Sequence, residues 1–170
     1  MFFVMTYYNK ERHKGDNDFR YSLIKELKQN KDIKSVTGLV SNVRIPGKYG
    51  ELQIPGYSYY DYMKEISRSK VAIYTRGVHE CISFKLGQLM AMGMPMVGQK
   101  IVNNAGFYYG LPNFTEQLSY NSPKEIVDRL SVAIRDRAWL KEMSRSNLNL
   151  FNNTLLPVHF VKDLFKTINS

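Results

Sequence analysis

Lys70-Val-Ala-Ile-Tyr-Thr-Arg-Gly-Val-His-Glu80-Cys-Ile-Ser-Phe-Lys-Leu-Gly-Gln-Leu-Met90-Ala-Met-Gly-Met-Pro-Met-Val97 decides the fold of this chain. Residues 70–75 are a short apolar run and read as a buried strand. A polar loop follows, carrying Arg76, Gly77, His79 and Glu80. Residues 82–92 read as a helix, because Ile82, Leu86, Leu89 and Met90 recur on one face. Gly93 stands where a left-handed C-terminal cap is needed, and Pro95 forbids continuation. Residues 94–98 then form the next strand. Strand, loop, helix, strand in this order is a parallel crossover unit.

The same alternation extends on both sides. Residues 2–8 are apolar and aromatic and read as a strand, and 9–17 as a polar loop with a glycine. Residues 19–29 read as a helix with Phe19, Leu23, Ile24 and Leu27 inward. A strand at 33–40 precedes a Pro- and Gly-containing connection at 44–56. Ser58-Tyr-Tyr-Asp61 has the form of a capping box and opens a helix to about residue 67. Beyond an irregular stretch at 100–117, Ser122-Pro-Lys-Glu125 is a helix start with Ser as cap and Pro at the first position. Helices at about 137–151 and 157–168 close the chain. The expectation is an α/β fold with an open parallel sheet, helices on both faces and a helical C-terminal end, in a single domain over 1–170.

The chain has 170 residues, 44% of them hydrophobic and 23% charged, which is ordinary globular usage and excludes wholesale disorder and collagen. Its one cysteine, Cys81, excludes an internal disulfide or a multi-cysteine zinc site. The apolar opening is too short for a secretion signal, and a reducing, cytoplasmic setting is expected. Lys and Arg number 24 against 15 Asp and Glu, a net +9 that points to an anionic partner: nucleotide phosphates, nucleic acid or an acidic membrane face. The basic residues are dispersed, so no electrostatic tail is expected. His-Glu-x-x-His, Gly-x-Gly-x-x-Gly, Walker A and Gly-x-Ser-x-Gly are all absent from the sequence.

In an open α/β sheet the ligand crevice lies beyond the carboxyl ends of the strands, and helix N-terminal amides favour an anion there. The loop 76–80 is therefore the expected place of a phosphate-bearing ligand. Each residue also has a plainer reading. Glu80 can complement a helix dipole, His79 can be a packing histidine, and the methionines at 90, 92, 94 and 96 can be core filler.

The segment resembles the nucleotide-sugar-binding domain of the GT-B glycosyltransferases, the retaining group 1 enzymes. Glu80 stands in the first acidic position of their Glu-x7-Glu motif, Gln88 in the second, and Gln88-Leu-Met-Ala-Met-Gly-Met-Pro-Met-Val97 follows the rest. Lys14-Gly15 after the first strand, Ile54-Pro-Gly-Tyr-Ser58 and Ser122-Pro-Lys-Glu125 resemble further family segments, so the likeness spans nearly the whole chain but only one of the two GT-B domains. Two departures stand out: Gln88 replaces an acid, and the family's Arg directly after the first strand is missing, since Thr6-Tyr7-Tyr8 occupies that region, with Arg12 the candidate substitute.

The resemblance implies transfer of a sugar from a UDP- or GDP-linked donor, without a metal or other cofactor. It implies Glu80 as the catalytic acid position against the donor sugar and Lys14 as the stabiliser of the leaving phosphate. Arg12 and Arg76 are second candidates for the phosphate, and Lys14 and Arg76 are expected to converge on one anion site near the helix that follows Glu80, with Gly77 and His79 among the substrate-binding residues. Gln88 is implied at the ribose and Tyr57 near the base. An acceptor-binding domain or partner subunit is expected, with a place at the inner face of a membrane. Two other functions compete: a non-catalytic basic module for nucleic acid, and a degenerate transferase-like scaffold prompted by Gln88. The lack of a helix-turn-helix pattern or a basic cluster weighs against the first.

Overall fold

The computed structural model describes residues 1–102 and 116–168. The first strand, β1 (Phe2–Thr6), alternates its apolar side chains between two cores. Phe3 and Met5 join one core with Leu23, Ile24 and Leu27 of helix α1 (Lys14–Gln29). Phe2 and Val4 join the other, with Ile66 of helix α2 (Tyr59–Ser67) and Leu86, Leu89 and Met90 of helix α3 (Lys85–Ala91). Period-two alternation places successive residues on opposite faces of a strand, so one strand serves both cores. Leu23, Ile24 and Leu27 are fully buried, and each such side chain contributes about 2 kcal/mol relative to exposure.

Strand β2 (Val36–Val40) pairs with β1 in parallel, Phe2 opposite Val36 and Thr6 opposite Val40. Strands β3 (Ala72–Tyr74) and β4 (Met96–Gly98) form a second parallel pair, Ala72 opposite Met96. Ile73 and Val97 face the α1 core, while Ala72, Tyr74 and Met96 face the α2–α3 core. Helices α4 (Pro123–Ala133) and α5 (Arg137–Leu150) follow. A π-helical turn (Phe151–Leu155) leads into α6 (Pro157–Ile168). Among the described residues no helix is long and apolar enough to cross a membrane.

The α/β class expected from the sequence is found, with a difference in the sheet. Two two-stranded parallel sheets are present, where one continuous open sheet was expected. The odd residues of β1 bond to β2: Val36 N–H donates to Met1 O at 2.9 Å and Tyr7 N–H to Val40 O at 2.9 Å. The even residues turn their carbonyls to the other edge, toward β3. There two side-chain cations take them. Lys85 Nζ donates to Val4 O and Arg20 Nη1 to Thr6 O, each at 2.9 Å. Among the described residues no backbone hydrogen bond joins β1 to β3, and these side-chain bonds are what meets the outward carbonyls of β1.

Local departures have local causes. Helix α1 begins at Lys14, within the stretch expected to be loop. Asn17 anchors that early start: its Nδ2 donates to Tyr8 O at 2.8 Å and its Oδ1 accepts from Tyr8 N–H at 3.2 Å. Helix α3 begins at Lys85, three residues later than Ile82. The chain before it is held in a tight turn, with Gly77 N–H donating to Cys81 O at 2.9 Å. Within that turn His79 and Glu80 both have φ of 58°, so no helix can start there. The caps read from the sequence are in place. Ser58 Oγ accepts from Asp61 N–H, and Ser122 and Glu125 form a reciprocal capping box. Gly93 ends α3 at φ 61°. Most of the expected irregular stretch at 100–117 lies outside the described residues.

Candidate functional site

The loop after β1, the first turn of α1 and the loop after β3 meet at the carboxyl ends of two strands. Between them lies a pocket of about 370 Å³, lined by Arg12, Gly15, Asp16, Phe19, Arg20, Thr75, Arg76, His79, Glu80 and Gln99. No side chain caps the start of α1, but its first amide, Lys14 N–H, donates to Glu11 O of the preceding 3-10 turn (Glu11–His13), which leaves only part of the helix-end positive charge at the first turn of α1. Asp16 in that turn offsets some of it.

Three guanidinium groups line the pocket, each held differently. Arg20 is only 2% exposed. Besides its bond to Thr6 O, it lies 4.6 Å from the centroid of the Tyr8 ring. None of the ion pairs among the described residues includes Arg20. A carbonyl and a ring face return only part of the hydration that a buried guanidinium has lost, so the site is poised for an anion. Arg76 pairs through Nη1 with Glu80 Oε1 at 2.5 Å, and its Nε is buried without a partner among the described residues. Its backbone N–H donates to Gln99 Oε1 at 2.9 Å, and Gln99 also lines the pocket. Arg12 is exposed, and its Nε donates to His13 Nε2 at 3.3 Å. His13 Nδ1 lies 3.6 Å from Asp16 Oδ2. The His13 and His79 rings meet edge-on at 5.6 Å and tie the two loops together.

The structure thus brings together Glu80, Arg12, Arg76 and His79 of the residues singled out from the sequence. Gly77 sits in the same loop and shapes it: a Cβ there would lie 2.6 Å from Cys81 Sγ. Lys14 does not share the pocket. It lies across α1, pairs with Glu11 at 3.8 Å and lines a smaller cleft with Tyr7, Asn17 and Tyr49. The expected convergence of Lys14 with Arg76 is therefore replaced by that of Arg12 and Arg20 with Arg76. The reason is the early start of α1, which turns Lys14 outward and carries Arg20 in. Gln88 and Tyr57 also lie outside the pocket. Gln88 Nε2 donates to Tyr59 Oη at 3.3 Å, and Tyr57 packs edge-on against Phe2 at 5.1 Å.

Sequence reasoning passed over Arg20, Thr75, Lys85 and Gln99. Two of these carried a signal. Arg20 lies three, four and seven residues before Leu23, Ile24 and Leu27, on the apolar face of α1. Lys85 lies three residues after Ile82 and four before Leu89, on the apolar face of α3. A cation on an inward face needs a partner inside. Among the described residues no group of three or more His, Cys, Asp or Glu side chains is placed to hold a metal ion. No protein-family model, curated protein or solved structure matches the chain.

Proposed function

We propose that this chain is the donor-binding domain of a GT-B-type glycosyltransferase, and that the pocket between α1 and the loop after β3 receives the diphosphate of a nucleotide sugar. The observation that carries the reading is Arg20: a buried guanidinium with no ion-pair partner among the described residues, at a pocket that Arg12 and Arg76 also line. The position at the strand carboxyl ends supports it, as does the motif resemblance around Glu80. A Rossmann-like arrangement is part of the proposal, with β1 and β3 side by side and helices packed on both cores.

The chemistry follows from charge. Transfer breaks the bond between the anomeric carbon and the phosphate oxygen, and negative charge grows on that oxygen as positive charge grows on the sugar. Arg12, Arg20 and Arg76 stabilise the leaving diphosphate, and their effect is largest in a site shielded from water. Glu80 accepts hydrogen bonds from the donor sugar's hydroxyls, while its pairing with Arg76 keeps both side chains in place. Gln88 beside Tyr59 meets the ribose, as the resemblance implies. The acceptor comes from a second domain or a partner subunit that closes over the pocket.

Two substitutions test the assignment. Glu80→Ala weakens a nucleotide sugar by roughly 10- to 100-fold more than the bare nucleotide, which changes only through the freed Arg76, because a charged hydrogen bond to a hydroxyl contributes about 1.5–3 kcal/mol. Gln88→Ala weakens both ligands alike, since both carry the ribose. Calorimetric titration with UDP, GDP, ADP and their sugar conjugates reads the difference. Equal weakening of nucleotide and nucleotide sugar by Glu80→Ala contradicts the role of Glu80. Binding of polynucleotide in place of any nucleotide contradicts the donor-domain reading as a whole.

A further inference from the structure

Lys85 is partly exposed along its stem, but its ammonium lies in the interior between β1 and β3. Nζ donates to Val4 O at 2.9 Å and sits 3.2 Å from Met5 Sδ. Met5 Sδ in turn touches Thr75 Oγ1 at 4.0 Å, and Thr75 lines the pocket. The ammonium is thus one side chain behind the pocket wall. The neighbouring outward carbonyl of β1, Thr6 O, holds Arg20. Carbonyls two residues apart on a strand are separated by roughly 6–7 Å, so two interior cations stand side by side. Like Arg20, Lys85 is in none of the ion pairs among the described residues.

The geometry points to Lys85 as a positioning residue of the anion pocket, a reserve cation behind Thr75 whose proton is taken up when a diphosphate binds. This rests on the reading of the pocket as a diphosphate site and adds a proton-linked group to it. Few groups face Lys85. From α1 there is Arg20, a guanidinium and so always charged. From α2 there is Tyr62, whose ring centroid is 5.0 Å from Nζ and whose phenol burial pushes up to about 12, so it stays neutral. β1 and β3 present Met5 and Thr75, which do not titrate, and Tyr74 of β3 faces the same core with its phenol pushed up by burial, so it stays neutral. Burial first, and Arg20 second, push the Lys85 ammonium down to about 8. A dianion one side chain away has the opposite effect and favours the charged form. Binding above neutral pH therefore draws a proton onto Lys85, and affinity falls as pH rises through this range.

The test is calorimetry with UDP, GDP and ADP between pH 7.5 and 9.5, in buffers of differing ionisation enthalpy, which reads protons taken up per ligand. Cys81 is exposed beside Glu80, and thiols as a class titrate in the same range, so the chain carries Cys81→Ser throughout. With Lys85 retained, affinity falls about tenfold across the range, with net proton uptake near pH 8.5. In Lys85→Arg, which cannot lose its charge, the uptake disappears and the fall flattens. Lys85→Met binds more weakly at pH 7.5 and lacks the uptake. Should Lys85→Met fold poorly, the comparison with Lys85→Arg still decides. Nucleotide binding with the same proton uptake in the parent chain and in Lys85→Arg overturns the role of Lys85 and leaves the diphosphate site standing. No binding by any of the three nucleotides at pH 7.5 overturns both.

Discussion

Arg20 and Lys85 shape the stability of the free protein as well as its site. The folded state holds the Lys85 proton less tightly than the unfolded chain does, about 8 against the ordinary 10.5. Between those values the unfolded state binds more protons, so stability rises with pH there. Below about 8 the full penalty of the buried charge remains. Its size is about 3 kcal/mol at most. Urea denaturation of ligand-free Lys85→Met at pH 7.5 is expected to show a gain of about 1–3 kcal/mol over the parent, because an apolar side chain of similar length replaces a desolvated charge. The gain shrinks toward pH 10. Equal stability of the two chains at pH 7.5, or a gain that does not shrink, contradicts the burial of a charged ammonium. That Glu80, Arg12, Arg76 and His79 lie near strand ends was legible because a polar loop after a buried strand announces itself, and the structure places all four at one pocket. Arg20 and Lys85 were not legible in this way, although both sit on apolar helix faces. Their partners are carbonyls of β1, many positions away, and no local pattern records which carbonyl a long side chain will reach.

At the scale of elements, punctuation was the most legible feature. Gly93 adopts φ 61°, and Gly93 N–H and Met94 N–H close the helix end on Met90 O and Leu89 O. A Cβ at Gly93 would also press on Ser144 O at 3.3 Å. Gly93→Ala should therefore cost about 1–2 kcal/mol, from left-handed backbone strain and from displacing α5. Thermal unfolding reads this, and an unchanged midpoint contradicts the cap. The helix starts at Ser58 and Ser122 were equally clear, since each cap is satisfied within four residues. Where tertiary bonds set a boundary, the reading failed. Asn17 clamps Tyr8 and lets α1 begin at Lys14. The reversed turn at His79 and Glu80 delays α3. Both effects join segments that are distant in sequence or depend on an unusual backbone conformation. Inward-facing Gln117 and Asn147 show the same limit. Gln117 Nε2 donates to Asn147 Oδ1 at 2.9 Å, and Asn147 Nδ2 donates to Met94 O at 2.6 Å, so a buried polar bridge ties α5 to the start of β4.

At the scale of the whole molecule, the alternation of strands and helices announced an α/β fold, and that class is found. The join between the two sheets was not legible, because no local pattern shows that Lys85 and Arg20, in place of a backbone ladder, meet the outward carbonyls of β1. The same substitution concentrates positive charge where the strands end, and a net charge of +9 surrounds it with an attractive field for anions. The central claim is that a nucleoside diphosphate enters this pocket through its phosphates. Amide chemical-shift mapping during titration with UDP, GDP and ADP measures this most directly. The largest changes are expected at Gly15, Asp16, Arg76 and Gly77, with affinity that weakens as salt is raised. Changes confined to the cleft of Lys14 and Tyr49 across α1, or no change with any of the three nucleotides, would contradict it.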